Sequence, residues 1–379
     1  MPPLETDPLA RYHRQRLLPG IGDVGQRRIA ESSVLVVGCG ALGSAAAEFL
    51  ARAGVGRLEI VDRDVVELTN LQRQTLYTEE DVHSGRPKAE AARDRLRAIR
   101  SDLMVRGWVE HLDSENVRDY LAEVDLVVDG LDNFETRYLL NDACVEAGVP
   151  YLYGGAVGTS GLCMTVLPRV EKFAASRTGR ARGHLYARES ATPCLRCVFP
   201  EPPPLAASAT CDTAGVLGTA TAMIAARQAT EAIKLLVGAA DTIDRGLWSV
   251  DLWRNRFASV AIESAPRSDC PCCGRRDFEF LDSPRQSAAT VLCGRHAVQV
   301  TPRRRESLDL DAMASKLSSH GTFRREGGLL QGVLTRECDP DSEHEQVIEL
   351  TVFSDGRAIV RGTSEPEFAR GIYARYVGG

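Results

Sequence analysis

Val34-Leu35-Val36-Val37-Gly38-Cys39-Gly40-Ala41-Leu42-Gly43 decides how this chain folds. Four consecutive apolar residues read as a strand buried on both faces, as in a parallel sheet covered by helices. The spacing Gly38-x-Gly40-x-x-Gly43 follows at once. Glycines there permit a tight turn and close backbone approach, and the helix that opens next aims its first amide donors at an anion. The helix runs through Ala53 and leads to a second strand, Leu58-Glu59-Ile60-Val61-Asp62. Asp62 ends that strand, where an acid can bind ribose hydroxyls. Taken alone, this signature suits an NAD enzyme at least as well as an ATP enzyme.

The pattern continues outward. Residues 7–31 read as helical, with Arg11, Arg14, Arg16, Arg27 and Arg28 among apolar positions, and residues 87–100 as a helix rich in Ala, Arg and Glu. Asp125-Leu126-Val127-Val128-Asp129 is another buried strand, ending in Gly130-Leu131-Asp132-Asn133; a helix over 135–147 and a strand over 149–153 follow. Strands alternating with helices predict an α/β, Rossmann-like domain with a mainly parallel sheet. Residues 169–190 read as a basic surface loop and 201–204 as the start of an extended segment leading to Cys211. Residues 214–237 read as a long helix rich in small residues, and 247–262 as strands. A boundary near Ser283-Pro284 predicts two domains, 1–283 and 284–379. The second is a small α+β module: strands near 296–300, 322–335, 346–353 and 357–361, helices near 308–319 and 365–375.

The chain has 379 residues, 26% charged and 44% hydrophobic, with a formal charge of -6. That balance argues against nucleic acid as the main partner. No apolar run reaches the length of a membrane span. The first residues lack the basic start and apolar stretch of a secretory signal, so a cytoplasmic protein is expected. Eleven cysteines then suggest metal ligation, catalysis or reduced thiols more than a disulfide framework.

Two cysteine dyads, Cys194-Leu195-Arg196-Cys197 and Cys270-Pro271-Cys272-Cys273, stand out. Each such turn presents two sulfurs on one side, and two turns close a four-thiolate zinc site. Asn70-Leu71-Gln72-Arg73-Gln74 and Gly85-Arg86-Pro87-Lys88 add amide and cationic side chains beyond the acidic strand end. A triphosphate needs such cations, whereas a dinucleotide needs few. Asp132, after a strand C-terminus, is an acid that can hold Mg2+ against phosphates. The plainer alternative makes Arg73 and Lys88 surface charges and Asp132 a helix N-cap. Cys39, Cys144 and Cys163 read as small core residues.

Together with Thr210-Cys211-Asp212-Thr213-Ala214-Gly215-Val216, these motifs resemble the ubiquitin-activating-enzyme superfamily, nearest its bacterial ThiF and MoeB adenylyltransferases. The resemblance covers about residues 8–283. Leu292-Cys293-Gly294-Arg295-His296-Ala297-Val298-Gln299-Val300 and Phe353-Ser354-Asp355-Gly356-Arg357-Ala358 resemble the extension of long ThiF-type proteins. The resemblance implies adenylation, with ATP, of the Gly-Gly C-terminus of a small ubiquitin-fold sulfur carrier, either ThiS-like in thiazole synthesis or the molybdopterin synthase small subunit. It also implies a cofactor-binding set of Gly38, Gly40, Gly43, Asp62, Asp64, Asn70, Arg73, Gln74, Lys88, Asp132 and Asn133, with Mg2+ on Asp132. Catalytic residues would be Arg14, Arg73, Lys88, Asp132 and Cys211. Arg14 would reach into a neighbouring subunit of a homodimer, and Cys211 would attack the activated carrier, take part in sulfur transfer, or be present without being required. Zn2+ would sit on Cys194, Cys197, Cys270 and Cys273, with Cys272 left out. A cysteine desulfurase or sulfurtransferase is a further implied partner. No rhodanese-type domain is expected, because Cys293 comes early in the module; carrier docking or dimer support suits that module better. Three other readings predict different behaviour. A tRNA-nucleoside dehydratase of the same superfamily would bind tRNA. An NAD oxidoreductase would leave Arg73, Lys88 and the dyads unexplained. A non-catalytic scaffold would have lost its phosphate-binding residues.

Overall fold

The computed structural model describes residues 9–169, 185–186, 190–202, 214–262, 267–282, 289–292, 296–302, 307–335, 337 and 347–377. Its contacts divide the chain into two units, Met1–Val82 with Lys88–Ser283, and His83–Pro87 with Pro284–Gly379.

The first unit is built on one eight-stranded sheet. Its strands are β1 (Ser33–Val37), β2 (Arg57–Val61), β3 (Met104–Trp108), β4 (Leu126–Asp129), β5 (Tyr151–Val157), β6 (Ser160–Val166), β7 (Leu247–Asp251) and β8 (Arg256–Val260), in the order β3-β2-β1-β4-β5-β6-β7-β8. The five strands β3 to β5 pair in parallel and the remainder antiparallel. In β1, Val34 and Val36 enter one apolar layer while Leu35 and Val37 enter another. Both faces are buried, which explains the unbroken apolar run.

The helices of this unit are α1 (His13–Arg16), α2 (Gly22–Glu31), α3 (Ala41–Ala53), α4 (Glu79–His83, whose last residue groups with the second unit), α5 (Lys88–Ile99), α6 (Val117–Ala122), α7 (Phe134–Ala147), α8 (Leu195–Val198), α9 (Gly218–Val237) and α10 (Glu279–Asp282). Residues of α3, α5 and α9 fill one layer beside the sheet, and residues of α6, α7, α8 and α10 fill the other. Register aligns the strand ends: Val37 lies opposite Val61 on one side and Asp129 on the other. The turns after β1, β2 and β4 therefore meet. The strand order reverses between β1 and β4, the place where open parallel sheets bind ligands.

Several expectations need correction. The helix expected over 7–31 is broken between α1 and α2, where Pro19 lacks an amide proton and Gly20 follows. The strand expected over 149–153 continues to Val157 and returns as β6, so the sheet carries an antiparallel half. The helix expected from 214 begins at Gly218, because Val216 bridges to Gly158 and Gly215 takes a left-handed φ of 71°. Residues 169–190 are not all surface loop: Leu185 and Tyr186 are buried, and the Tyr186 hydroxyl donates to the Pro168 carbonyl at 3.0 Å. Cys211, Cys293, the segment 203–210 and Gly378-Gly379 lie outside the described residues.

The second unit is a six-stranded antiparallel sheet. Its strands are β9 (Ala289–Leu292), β10 (Ala297–Val300), β11 (Gly321–Glu326), β12 (Leu329–Leu334), β13 (Ile348–Phe353) and β14 (Ala358–Arg361), ordered β11-β12-β13-β14-β10-β9. Helices α11 (Leu310–Leu317) and α12 (Pro366–Tyr376) supply Leu310, Met313, Leu317, Ala369 and Ile372 to its own core.

Candidate functional site

The glycine turn is shaped by contact with its neighbours. Gly38 takes φ +80°, and a Cβ on it would come within 2.8 Å of the Gly130 carbonyl oxygen. A Cβ on Gly43 would meet the Gly38 carbonyl oxygen at 1.8 Å, so both positions require glycine. Gly40 differs: its nearest neighbours, Gln74 Nε2 and Gly130 O, are at 3.8 and 3.9 Å from such a Cβ. The chain itself leaves room at Gly40, which suits close approach by a ligand. α3 opens at Ala41 and turns its free amides to the same place.

Asp62 ties this turn to the next strand end. Its Oδ2 accepts from the Cys39 amide at 2.6 Å and its Oδ1 from the Asp64 amide at 2.7 Å. Burial pushes its carboxyl above the ordinary value, while nearby Lys88 pulls the other way. Lys88 opens α5, is buried, and donates from Nζ to Asp64 Oδ2 at 3.0 Å. The Tyr77 hydroxyl donates to the Cys39 carbonyl at 2.7 Å and closes the floor.

Asn70 is buried, and its Oδ1 accepts from the Glu67 amide at 3.1 Å, capping a short 3-10 turn. That turn carries Arg73, partly exposed, whose Nη1 donates to the Thr69 carbonyl at 2.8 Å. Gln74 is buried, with an Oε1 that has no partner among the described residues. A buried acceptor without a donor, beside Gly40, fits a ligand hydroxyl or amine.

Asp132 is exposed, and among the described residues its one hydrogen-bond partner is the Asn133 side-chain amide, at 3.4 Å. It is not the cap of α7: the Thr136 amide donates to Asn133 Oδ1 at 2.9 Å, so Asn133 fills that role. Asp132 thus keeps a carboxylate at the strand-end cleft, as a Mg2+ ligand requires. Beneath it lies a set of residues that the sequence reading missed. Asp129, Arg137, Tyr151 and Gln228 are all buried. Asp129 is raised by its burial, which Arg137 opposes. The only available signal was a charge in an apolar run.

The structure therefore brings Gly38, Gly40, Gly43, Asp62, Asp64, Lys88, Gln74 and Asp132 to neighbouring turns, with Asn70 and Arg73 on the segment that carries Gln74. Arg14 is not among them. Its neighbour Gln15 donates to the Ala53 carbonyl at 2.8 Å, at the far end of α3. Thirteen residues of helix separate that end from the glycine turn, a span of roughly 20 Å.

The four expected cysteines form a separate cluster, with all sulfurs within 4.8 Å of one another. Cys194 Sγ lies 3.8 Å from Cys197 and 3.6 Å from Cys270, and Cys197 lies 3.3 Å from Cys273. Sulfurs about 2.3 Å from a tetrahedral centre stand about 3.8 Å apart, so the spacing fits zinc. Disulfide sulfurs would be about 2.05 Å apart. Cys272 is not one of the four: the Asn141 amide donates to its Sγ at 3.3 Å, and it also meets Cys194 and Asp142. The dyads join α8 to the segment before α10, and both pack on α7, where Asn141 Oδ1 accepts from the Leu195 amide at 2.9 Å.

A glycine turn, two acids and a buried lysine at the switch point of a doubly wound sheet define a nucleotide-binding domain, here with a four-cysteine cluster. The ThiF family model matches residues 12–272, and this chain belongs to the ThiF family. It is 40% identical over 368 residues to the sulfur carrier protein ThiS adenylyltransferase of Bacillus subtilis (strain 168), covering 97% of this chain and 99% of the relative. It is 41% identical to a sulfur carrier protein adenylyltransferase of Thermus thermophilus, over 70% of this chain and 91% of that one. A crystal structure of E. coli MccB with ATP shares the fold at a TM-score of 0.51 and 21% identity, over 66% of this chain and 69% of that chain.

Proposed function

We propose that this chain adenylates the C-terminal Gly-Gly carboxylate of a small ubiquitin-fold sulfur carrier of the ThiS type, using ATP. The observation that supports this most is the gathering of the glycine turn, the Asp64-paired Lys88 and the exposed Asp132 around adjoining strand ends. The near full-length likeness to a ThiS adenylyltransferase supports the choice of carrier.

A carrier carboxylate oxygen attacks the α-phosphorus. The new O–P bond forms as the bond to the bridging oxygen breaks, and pyrophosphate leaves with that electron pair. No proton moves, so no general base is needed; the demands on the protein are alignment and charge neutralisation. Asp62 faces the ribose, and Gln74 offers its unpartnered acceptor. Arg73 and Lys88 neutralise phosphate charge, with Asp64 holding Lys88 in place. Asn70 and Asn133 act by shaping the turns that carry Arg73 and Asp132. Mg2+ on Asp132 would neutralise the phosphate oxygens. Arg14, a helix length away in its own subunit, serves the site of a second copy in a homodimer. Cys211 is a candidate acceptor of the activated carrier.

Residues 1–283 form the adenylation domain on this reading, and 284–379 a module for carrier docking or dimer support. Zn2+ on Cys194, Cys197, Cys270 and Cys273 would leave no open ligand position, so its contribution is structural. A cysteine desulfurase or sulfurtransferase would supply sulfur afterwards, in the cytoplasm. No helix among the described residues is long and apolar enough to cross a membrane.

ATP–pyrophosphate exchange tests this directly. Exchange is expected with a ThiS-type carrier ending in Gly-Gly and is expected to vanish when those glycines are removed. Exchange with a MoaD-type carrier alone would move the enzyme to molybdopterin synthesis. No exchange with either carrier would defeat the proposal.

A further inference from the structure

Asp132 is exposed, and among the described residues its one hydrogen-bond partner is its neighbour Asn133, so the backbone that carries it does most to set its position. Both backbone polar groups of the preceding residue are held. Asp129 Oδ1 accepts from the Leu131 amide at 2.8 Å. Arg137 Nη2 donates to the Leu131 carbonyl, and also to the Gly154 carbonyl at 2.9 Å. The two side chains are themselves paired, with Arg137 Nε 3.3 Å from Asp129 Oδ2. The Tyr151 hydroxyl donates to that same oxygen. Arg137 also lies over two rings, 5.5 Å from Phe134 and 5.4 Å from Tyr153.

A buried ion pair adds little net stability over a well-packed apolar substitute, because both charges lose their hydration. A pair that grips one peptide unit from both sides has another use. We propose that Asp129 and Arg137 are positioning residues that fix the Leu131–Asp132 turn, so that the Asp132 carboxylate meets the metal of the bound nucleotide. This rests on the adenylation reading above. Only a planar, multi-donor guanidinium can reach the Leu131 and Gly154 carbonyls while facing Asp129. Arg137→Lys therefore keeps the charge and loses the grip.

The test is binding without turnover. Mn2+ is titrated by electron paramagnetic resonance into the full-length protein with α,β-methylene-ATP. Asp132→Asn sets the scale for a lost ligand. Arg137→Lys is expected to weaken Mn2+ binding roughly tenfold, as loss of a metal-supporting partner does. Tyr151→Phe removes one hydrogen bond from Asp129 and is expected to act in the same direction by a smaller factor; it carries the test if Arg137→Lys does not fold. Arg100→Lys disturbs another buried arginine, which donates to the Val55 carbonyl, and is expected to leave Mn2+ binding unchanged. Unaltered Mn2+ binding in the folded variants, with exchange intact in the parent, would overturn this inference alone. A parent protein that neither binds the metal–nucleotide complex nor exchanges pyrophosphate would overturn both.

Discussion

On the proposed reading Asp132 and Asn133, though adjacent, do different work, and substitution separates them. Asp132→Asn is expected to fold normally and to lose pyrophosphate exchange by roughly a hundredfold or more. Asn133→Ala removes the α7 cap and is expected to cost about 1 kcal/mol, read as a lower midpoint of thermal unfolding. The buried thiols give a pH prediction. Burial pushes Cys39 and Cys163 up to about 12, from an ordinary 9.0. At pH 8 their thiolate fraction is about 10⁻⁴, so iodoacetamide followed by mass spectrometry should leave both unmodified in the native protein. A raised thiol favours the folded state below pH 9 and loses that advantage as pH climbs towards 12. Unfolding midpoints should accordingly begin to fall above pH 9. The places of Asp62 and Asp132 beyond strand ends, and of Lys88 at the start of a helix, were legible in the sequence because each belongs to a recognisable motif; their roles remain part of the proposal. Asp129 and Arg137 were not, since a lone charge in an apolar run does not say which group faces it.

At the scale of elements, the paired strands β5 and β6 were half invisible. Gly154 and Gly161 dilute the strand pattern, and the fold explains their presence. A Cβ on Gly154 would meet Gln228 Nε2 at 2.5 Å, and one on Gly161 would meet Ile224 Cγ1 at 2.4 Å. Both contacts come from α9, which packs directly on the backbone there. The cysteine knot was legible because two dyads need no knowledge of what lies between them. One zinc per chain is expected by elemental analysis, and Cys194→Ser or Cys273→Ser should release it. Either change should lower thermal stability well beyond what Cys272→Ser does, because Cys272 is not among the four sulfurs gathered there.

At the scale of the whole molecule, the division into two units has a counterpart among relatives. The Thermus protein matches 70% of this chain but 91% of itself, so it has little beyond the shared part. A chain ending at Ser283 should therefore retain pyrophosphate exchange with the carrier at high carrier concentration. Loss of the second unit should appear as a raised KM for carrier if that unit serves docking. The remoteness of Arg14 from the glycine turn leads to a mixing experiment. Arg14→Ala and Asp132→Asn are each inactive on the present reading. Combined one to one, with free subunit exchange, they should recover about a quarter of the parent activity, since half the pairs are hybrids with one sound site each. The length of α3 has a last consequence. It keeps the arginine and the cleft of any single copy permanently out of each other's reach, so a solitary molecule would own every working part and still be idle. Output would then fall more steeply than enzyme concentration on dilution below the dimer dissociation constant, making abundance itself a throttle on the reaction.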